Sequence, residues 1–308
     1  MFDLRYHVAS LAAVFIALAV GIVIGVAIAS GGSVEDATKS FREQQIRSLE
    51  QQLEAVQARA DLSEDQRQAV EDLMNEVYPE LMADRLADRR LAVLFIGPID
   101  GEVRAAVERT LTDTGAGSAV RLAALELPID AETIDRLLAQ DPATAAYRGD
   151  ARLPDLGEAL GLELLDGGAT PLWDALASEL VEERTGALEL PVDGIVVVRS
   201  WVPPETDDPV EQGRANETAA LVTGLLRGLD GRGRPVVGIE TSTVEVSYVD
   251  VYRDLGISTV DDVDTLAGRI ALGLLLAGAE PGHYGTKNSA TDGVSPPIEP
   301  LTVAPVGG

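Results

Sequence analysis

The chain has 308 residues with 24 basic against 51 acidic side chains, a formal charge of −27. Such a surface repels nucleic-acid phosphates and anionic lipid headgroups, so neither is an expected ligand of the soluble part. There is no cysteine, histidine occurs only as His7 and His283, and methionine only as Met1, Met74 and Met82, which excludes disulfides and thiolate metal sites and leaves few ligands for any soft metal ion.

The most apolar stretch comes first. Val8 to Ala29 is a run of 22 residues with no charge and no proline, and as a helix it extends roughly 33 Å, close to the ~30 Å hydrocarbon core of a bilayer. It is read as one transmembrane helix. Ala27-Ile28-Ala29 before Ser30 has the form of a signal-peptide cleavage site, but a signal's apolar region runs only about 7 to 15 residues, so the helix is expected to be retained. Ala17, Gly21, Gly25 and Ala29 recur every fourth residue and define a candidate dimerisation face. Arg5 on one flank and Lys39 and Arg42 on the other do not fix the orientation by charge alone. A short inner stub with the large carboxy-terminal part outside the cytoplasm is the expected topology.

From Glu35 the chain turns polar and helical. Ile46, Leu49, Leu53 and Val56 fall at heptad a and d spacings for two repeats, the pattern of a coiled-coil stalk. Ser63-Glu64-Asp65-Gln66 has the form of a capping box, which predicts a break near Asp61 and Leu62 and a second amphipathic helix with Leu73, Met74, Val77, Leu81 and Leu86 on its apolar side.

A continuous apolar run, Leu91 to Gly97, reads as a strand buried on both faces. Helix is expected at Glu102 to Leu111, strand at Ala119 to Leu127, helix at Ala131 to Ala139, strand at Gly194 to Arg199, helix at Gln212 to Leu229 and strand at Pro235 to Glu240. Between them lie helices around Asp155 to Leu160 and Pro171 to Glu183. Alternation of this kind predicts a mainly parallel, Rossmann-like α/β domain, whose ligands would sit beyond the carboxyl ends of the strands. Those ends carry Gly97-Pro98, Arg199-Ser200-Trp201 and Glu240-Thr241-Ser242. None is a phosphate loop, and no GxSxG elbow or HExxH helix occurs. Arg199, Glu240 and the cluster Asp261, Asp262 and Asp264 are candidate pocket groups, with helix capping and loop charge as the plainer reading. No catalytic residue and no metal ligand is assigned.

The segment Thr241 to Lys287 is the most distinctive. Tyr252-Arg253 with Gly256, then Ser258 to Thr265 (STVDDVDT), Gly268-Arg269 opening an apolar helix, and Gly282-His283-Tyr284-Gly285 resemble the carboxy-terminal signature of the actinobacterial MctB family, whose corynebacterial branch is called SteB. Leu4-Arg5 and His7 before Ser10 to Phe15 (SLAAVF) match its start, so the resemblance runs from residue 1 to about 287. It implies either copper efflux across the mycobacterial outer membrane or, by the SteB branch, envelope assembly and cell separation with a SteA-like membrane partner. A barrel pore is not expected, because the strands are buried ones alternating with helices, and copper enters only through the family's label.

Within this signature, Thr259-Val260 is expected as an edge strand, Asp264 or Thr265 as the cap of a helix at Leu266 to Ala277, and Gly282 and Gly285 as a tight turn. Tyr252, Asp261, Asp264, His283 and Tyr284 are candidates for a shared groove, with a purely architectural role as the alternative. The expected organisation is an anchor at 1–30, a stalk at 31–88, an α/β domain at 89–285 and a disordered tail at 286–308. The expected function is a homodimeric, non-catalytic cell-membrane scaffold of the envelope. Its rivals are a copper-transport component in the outer membrane and a degenerate α/β enzyme.

Overall fold

The computed structural model describes residues 4–29, 33–116, 120–186, 190–230 and 233–298. The chain divides into two compact units, Met1–Leu73 and Met74–Gly308.

In the first unit, α1 spans Leu4–Ala29 and α2 begins at Ser33, running to Met82. The described side chains of α1 run from 11 to 27 and all are exposed. They cover about 26 Å of helix, and among the described residues no helix is long and apolar enough to cross a membrane. Ala17 is exposed and a Cβ at Gly21 or Gly25 would meet nothing within 4 Å. The side chains of Ala29, Ile46, Leu49 and Leu53 lie outside the described residues. The expected break near Asp61 and Leu62 is absent, because α2 continues through it. Ser63 is helical and caps nothing. Arg67 instead pairs with Glu64 one turn before it and Glu71 one turn after it, spacings that favour continuous helix.

The second unit holds a seven-stranded sheet of order β3-β2-β1-β4-β5-β6-β7. Its strands are β1 Leu91–Ile96, β2 Val120–Leu125, β3 Val181–Thr185, β4 Gly194–Arg199, β5 Val236–Ile239, β6 Ser258–Val260 and β7 His283–Tyr284. All neighbours pair in parallel except β3, which runs antiparallel to β2, so the sheet is mixed. The helices are α3 Gly101–Asp113, α4 Ala131–Leu138, α5 Leu153–Asp166, α6 Pro171–Ala175, α7 Ala177–Leu180, α8 Pro209–Asp230, α9 Val249–Asp254 and α10 Leu266–Leu276.

Successive strand residues face opposite sides, so each buried strand feeds two cores. Ala92, Leu94 and Ile96 of β1 join the core under α4, α5 and α8, while Leu91, Val93 and Phe95 join the one under α3 and α10. The α5–α8 contact is unusually close. A Cβ at Gly157 would lie 2.1 Å from the Leu221 carbonyl oxygen, and one at Gly224 would lie 2.1 Å from that of Pro154. Four glycines at i and i+4 spacing, Gly157, Gly161, Gly224 and Gly228, bring these two backbones into contact. At the end of α2, Tyr78 and Met82 pack on Ile270 and Leu274 of α10.

Three local expectations change. The segment read as helix through Glu183 becomes β3, an edge strand whose Glu183 pairs with Arg104 and whose Arg184 pairs with Asp174, the charged edge that discourages further pairing. β6 is not the edge, because Val260 pairs with Tyr284 of β7, and Gly282 to Gly285 holds a short strand rather than a tight turn. The segment 286–298, assigned above to a disordered tail, is tied to the domain: Thr286 and Lys287 N–H donate to Asp261, Ser289 Oγ donates to its second oxygen, and Asp292 accepts from His283 N–H.

Candidate functional site at the carboxyl edge of the sheet

β1 pairs with β2 on one side and β4 on the other, so the winding reverses between β1 and β4, where α/β sheets gather ligands. The loop after β1 fills this place with its own atoms. Ser200 and Trp201 N–H both donate to the Ile96 carbonyl, at 3.1 and 3.0 Å. Gly97, at φ +103°, lies so close that a Cβ would sit 2.6 Å from Trp201 N. The Asp100 carboxylate caps α3, accepting from Glu102 N at 2.8 Å and Val103 N at 3.2 Å. Those are the amides a bound phosphate would use, so the helix terminus is already occupied by an anion of the chain.

At the end of β4 the Arg199 guanidinium stacks on Tyr248, whose ring centre is 4.0 Å away, with Trp201 at 5.8 Å. Tyr248 Oη donates to the Trp201 carbonyl at 2.7 Å. Burial pushes the Arg199 pKa down. At the end of β5, Glu240 is 5% exposed, and accepts from Ser247 Oγ at 2.9 Å and from Tyr248 N–H. Lys287 Nζ stands 3.6 Å from its second oxygen and donates to the Thr241 carbonyl.

β6 delivers three aspartates with three different fates. Asp261 is buried and holds the 286–289 turn through the donors already named. Asp262 is fully buried, neither of its oxygens has a hydrogen-bond partner, and burial raises its pKa, with Asp261 adding to the shift. Asp264 is exposed and accepts from both N–H and Oγ of Ser242, each at 2.6 Å. The cap of α10 is Thr265, accepting from Gly268 N at 3.0 Å.

The five signature residues do not line one groove. Tyr252 is fully buried in the core under α5 and α8, against Gly238, its hydroxyl without a partner and its pKa driven far up by burial. Tyr284 belongs to the core on the opposite face of the sheet. His283 Nδ1 lies 3.0 Å from Thr259 Oγ1, and burial, then Arg253, lowers its pKa, which keeps the ring neutral near pH 7. Only Asp261, His283 and Tyr284 are brought side by side, along β6 and β7. Among the described residues no group of three or more histidine or acidic side chains is placed to hold a metal ion.

Arg199 and Glu240 were legible as polar groups at strand ends, whereas Trp201 and Tyr248 were not singled out. One signal was available: aromatic residues are only 4% of this chain, and Trp201 is one of its two tryptophans, two residues beyond a buried strand.

The fold thus defines an α/β protein with a mixed seven-stranded sheet, preceded in the chain by two long helices, whose carboxyl edge is largely closed by its own side chains. The chain belongs to the MctB family: the profile described as "Copper transport outer membrane protein, MctB" matches residues 1–295. Proteins named "Copper transporter MctB" from Mycobacterium tuberculosis and Mycobacterium bovis are 27% identical to it over 318 residues, 94% of this chain and 98% of theirs. The protein of that name from Mycobacterium leprae is 27% identical over 324 residues, with the same coverage.

Proposed function

We propose that the protein is a membrane-anchored, non-catalytic component of the cell envelope that acts by holding partners. The observation that carries this reading is the apolar surface of its two long helices. Leu11, Val14, Phe15, Ile16 and Val23 on α1 are 63–68% exposed, and Val56, Leu62, Val70, Leu73 and Val77 on α2 are 44–61% exposed. Apolar rows of this length on a −27 chain call for cover. For α1 that cover is a bilayer, since the uncharged run from Val8 to Ala29 extends past the described side chains to a spanning length. For α2 it is a second copy in a parallel coiled-coil dimer, supported by the small residues Ala17, Gly21 and Gly25 on α1. On this reading the α/β domain lies outside the cytoplasm as a Rossmann-like domain without the phosphate loop, available to a SteA-like membrane partner.

Cross-linking of the full chain in membranes tests this. A dimer is expected, weakened when Gly21 and Gly25 are both changed to leucine, together with a membrane protein that co-purifies only when α1 and α2 are intact. A monomer with no associated protein overturns the reading. A second reading, copper transport, is favoured by the description of the family and the names of its mycobacterial members. Ion conductance across a planar bilayer containing the pure protein would put that reading first.

A further inference from the structure

Arg199, at the end of β4, is held in place without a carboxylate partner among the described residues. Arg90, Arg104, Arg152, Arg184, Arg234 and Arg253 each pair with a carboxylate. Arg199 pairs with none of the described carboxylates, and its Nε is sealed from water without an acceptor, as is that of Arg269 over Tyr78. Withdrawing a guanidinium from water with no counter-ion costs free energy. The faces of Tyr248 and Trp201 offset part of that cost through cation–π attraction.

Stacking uses the face of the guanidinium and, with Nε sealed, leaves the in-plane N–H groups of its two terminal nitrogens as the donors for a carboxylate or a phosphate. The walls around it are fixed beforehand: Tyr248 is bonded through Oη to the Trp201 carbonyl and through N–H to Glu240, and Trp201 is wedged on Gly97. Arg199 also ends a strand beside the reversal of winding, the place where such sheets gather ligands. Val202, Val244 and Val246, on the loops that follow β4 and β5, are 48%, 37% and 42% exposed and offer apolar contact to the rest of a ligand.

We propose that Arg199, stacked on Tyr248 and Trp201, is the receptor for an oxyanion group, a carboxylate or a phosphate, carried by a small ligand that enters the carboxyl edge between β4 and β5. A pyrophosphate seated on α3 is not the fit, because Asp100 already takes those amides. The −27 surface repels anions at long range, but at physiological salt that field is screened beyond about 8 Å. A bare anion is therefore expected to bind weakly, with a Kd on the order of 1 mM.

Tryptophan emission of the full chain in detergent reads this site through Trp201. Sodium phosphate and sodium acetate are titrated against sodium chloride at matched ionic strength. The expected result is a saturable change with phosphate or acetate, absent with chloride, lost in Arg199→Gln and lost in Trp201→Phe. A response to phosphate alone assigns a phosphate ligand, and a response to acetate alone a carboxylate. No saturable change with either oxyanion up to about 50 mM, an equal response to chloride, or a response retained by Arg199→Gln overturns the proposal. Should Arg199→Gln fail to fold, the Arg199 Nε–H resonance of the unaltered protein decides: it shifts with phosphate or acetate but not chloride if the proposal holds, and stays still if it does not.

Discussion

Gly285 lies against the carboxylate of Asp261, where a Cβ would sit 1.9 Å from Oδ1. The backbone at Gly285, with φ +139°, is one that side chains rarely adopt, and the space beside it is taken by an anion. Gly285→Ala is therefore expected to destabilise the domain by about 3 kcal/mol, by strain and by displacement of the carboxylate. Asp261→Asn keeps an acceptor for Thr286 and Lys287 but presents an amide to Ser289 Oγ, and should cost about 1–3 kcal/mol. Urea unfolding measures both, and a Gly285→Ala protein as stable as the parent would contradict the close approach.

The α5–α8 contact gives a paired prediction on one helix. At Gly224 a Cβ meets the Pro154 carbonyl at 2.1 Å, so Gly224→Ala forces two backbones apart and should cost roughly 3 kcal/mol or more. At Gly213, also in α8, a Cβ meets nothing within 4 Å. Gly213→Ala should stabilise by about 0.5–1 kcal/mol, through helix propensity alone. Equal thermal shifts in the same direction would show that packing does not set the difference.

Asp262 carries a pH dependence of definite sign. Burial, together with Asp261 and Asp264, raises its folded-state pKa. The native state then holds this proton more tightly than the unfolded chain, so the stability Asp262 contributes in acid declines as pH rises through the ordinary aspartate value, about 3.9, towards the raised one. Asp262→Asn should be more stable than the parent at pH 7, with the gap closing towards pH 4. A gap that does not change with pH would refute the assignment.

Copper binding by the full chain is measurable by calorimetry against a competing chelator. His283 is engaged by Thr259, and Met82 is buried against Gly273, where a Cβ would lie 2.2 Å from its Cε. No binding of copper(I) or copper(II) tighter than about micromolar is expected. Tight, stoichiometric binding lost in His283→Ala would place a metal site at β7 and favour the transport reading.

The sequence was most legible where burial is two-sided. β1 and β4 are continuous apolar runs, and α8 and α10 carry apolar residues all along the face that packs on the sheet, so their positions followed from pattern alone. β3 was missed because Glu182, Glu183 and Arg184 look like solvated helix, and only the pairing with β2 makes them a strand. β7 was missed because two residues between glycines carry no periodicity. The break in α2 was predicted from a local capping pattern that the surrounding ion pairs overrule. Asp261 and Asp264 were legible as polar residues, but their partners, Thr286 to Ser289 and Ser242, come from other segments. The stack on Arg199 joins residues 47 apart, Trp201 and Tyr248, which no spacing rule links.

The tie between Asp261 and residues 286–289 also sets where this polypeptide can be shortened. Loss of the chain after Gly285 would strip the buried Asp261 carboxylate of its donors from Thr286, Lys287 and Ser289 and loosen the outer strand. Asp292 and Gly293 also hold the outer strand, accepting from His283 N–H and Gly285 N–H, so a chain trimmed to the last residue of its sequence signature loses these bonds as well and should unfold more readily than the parent.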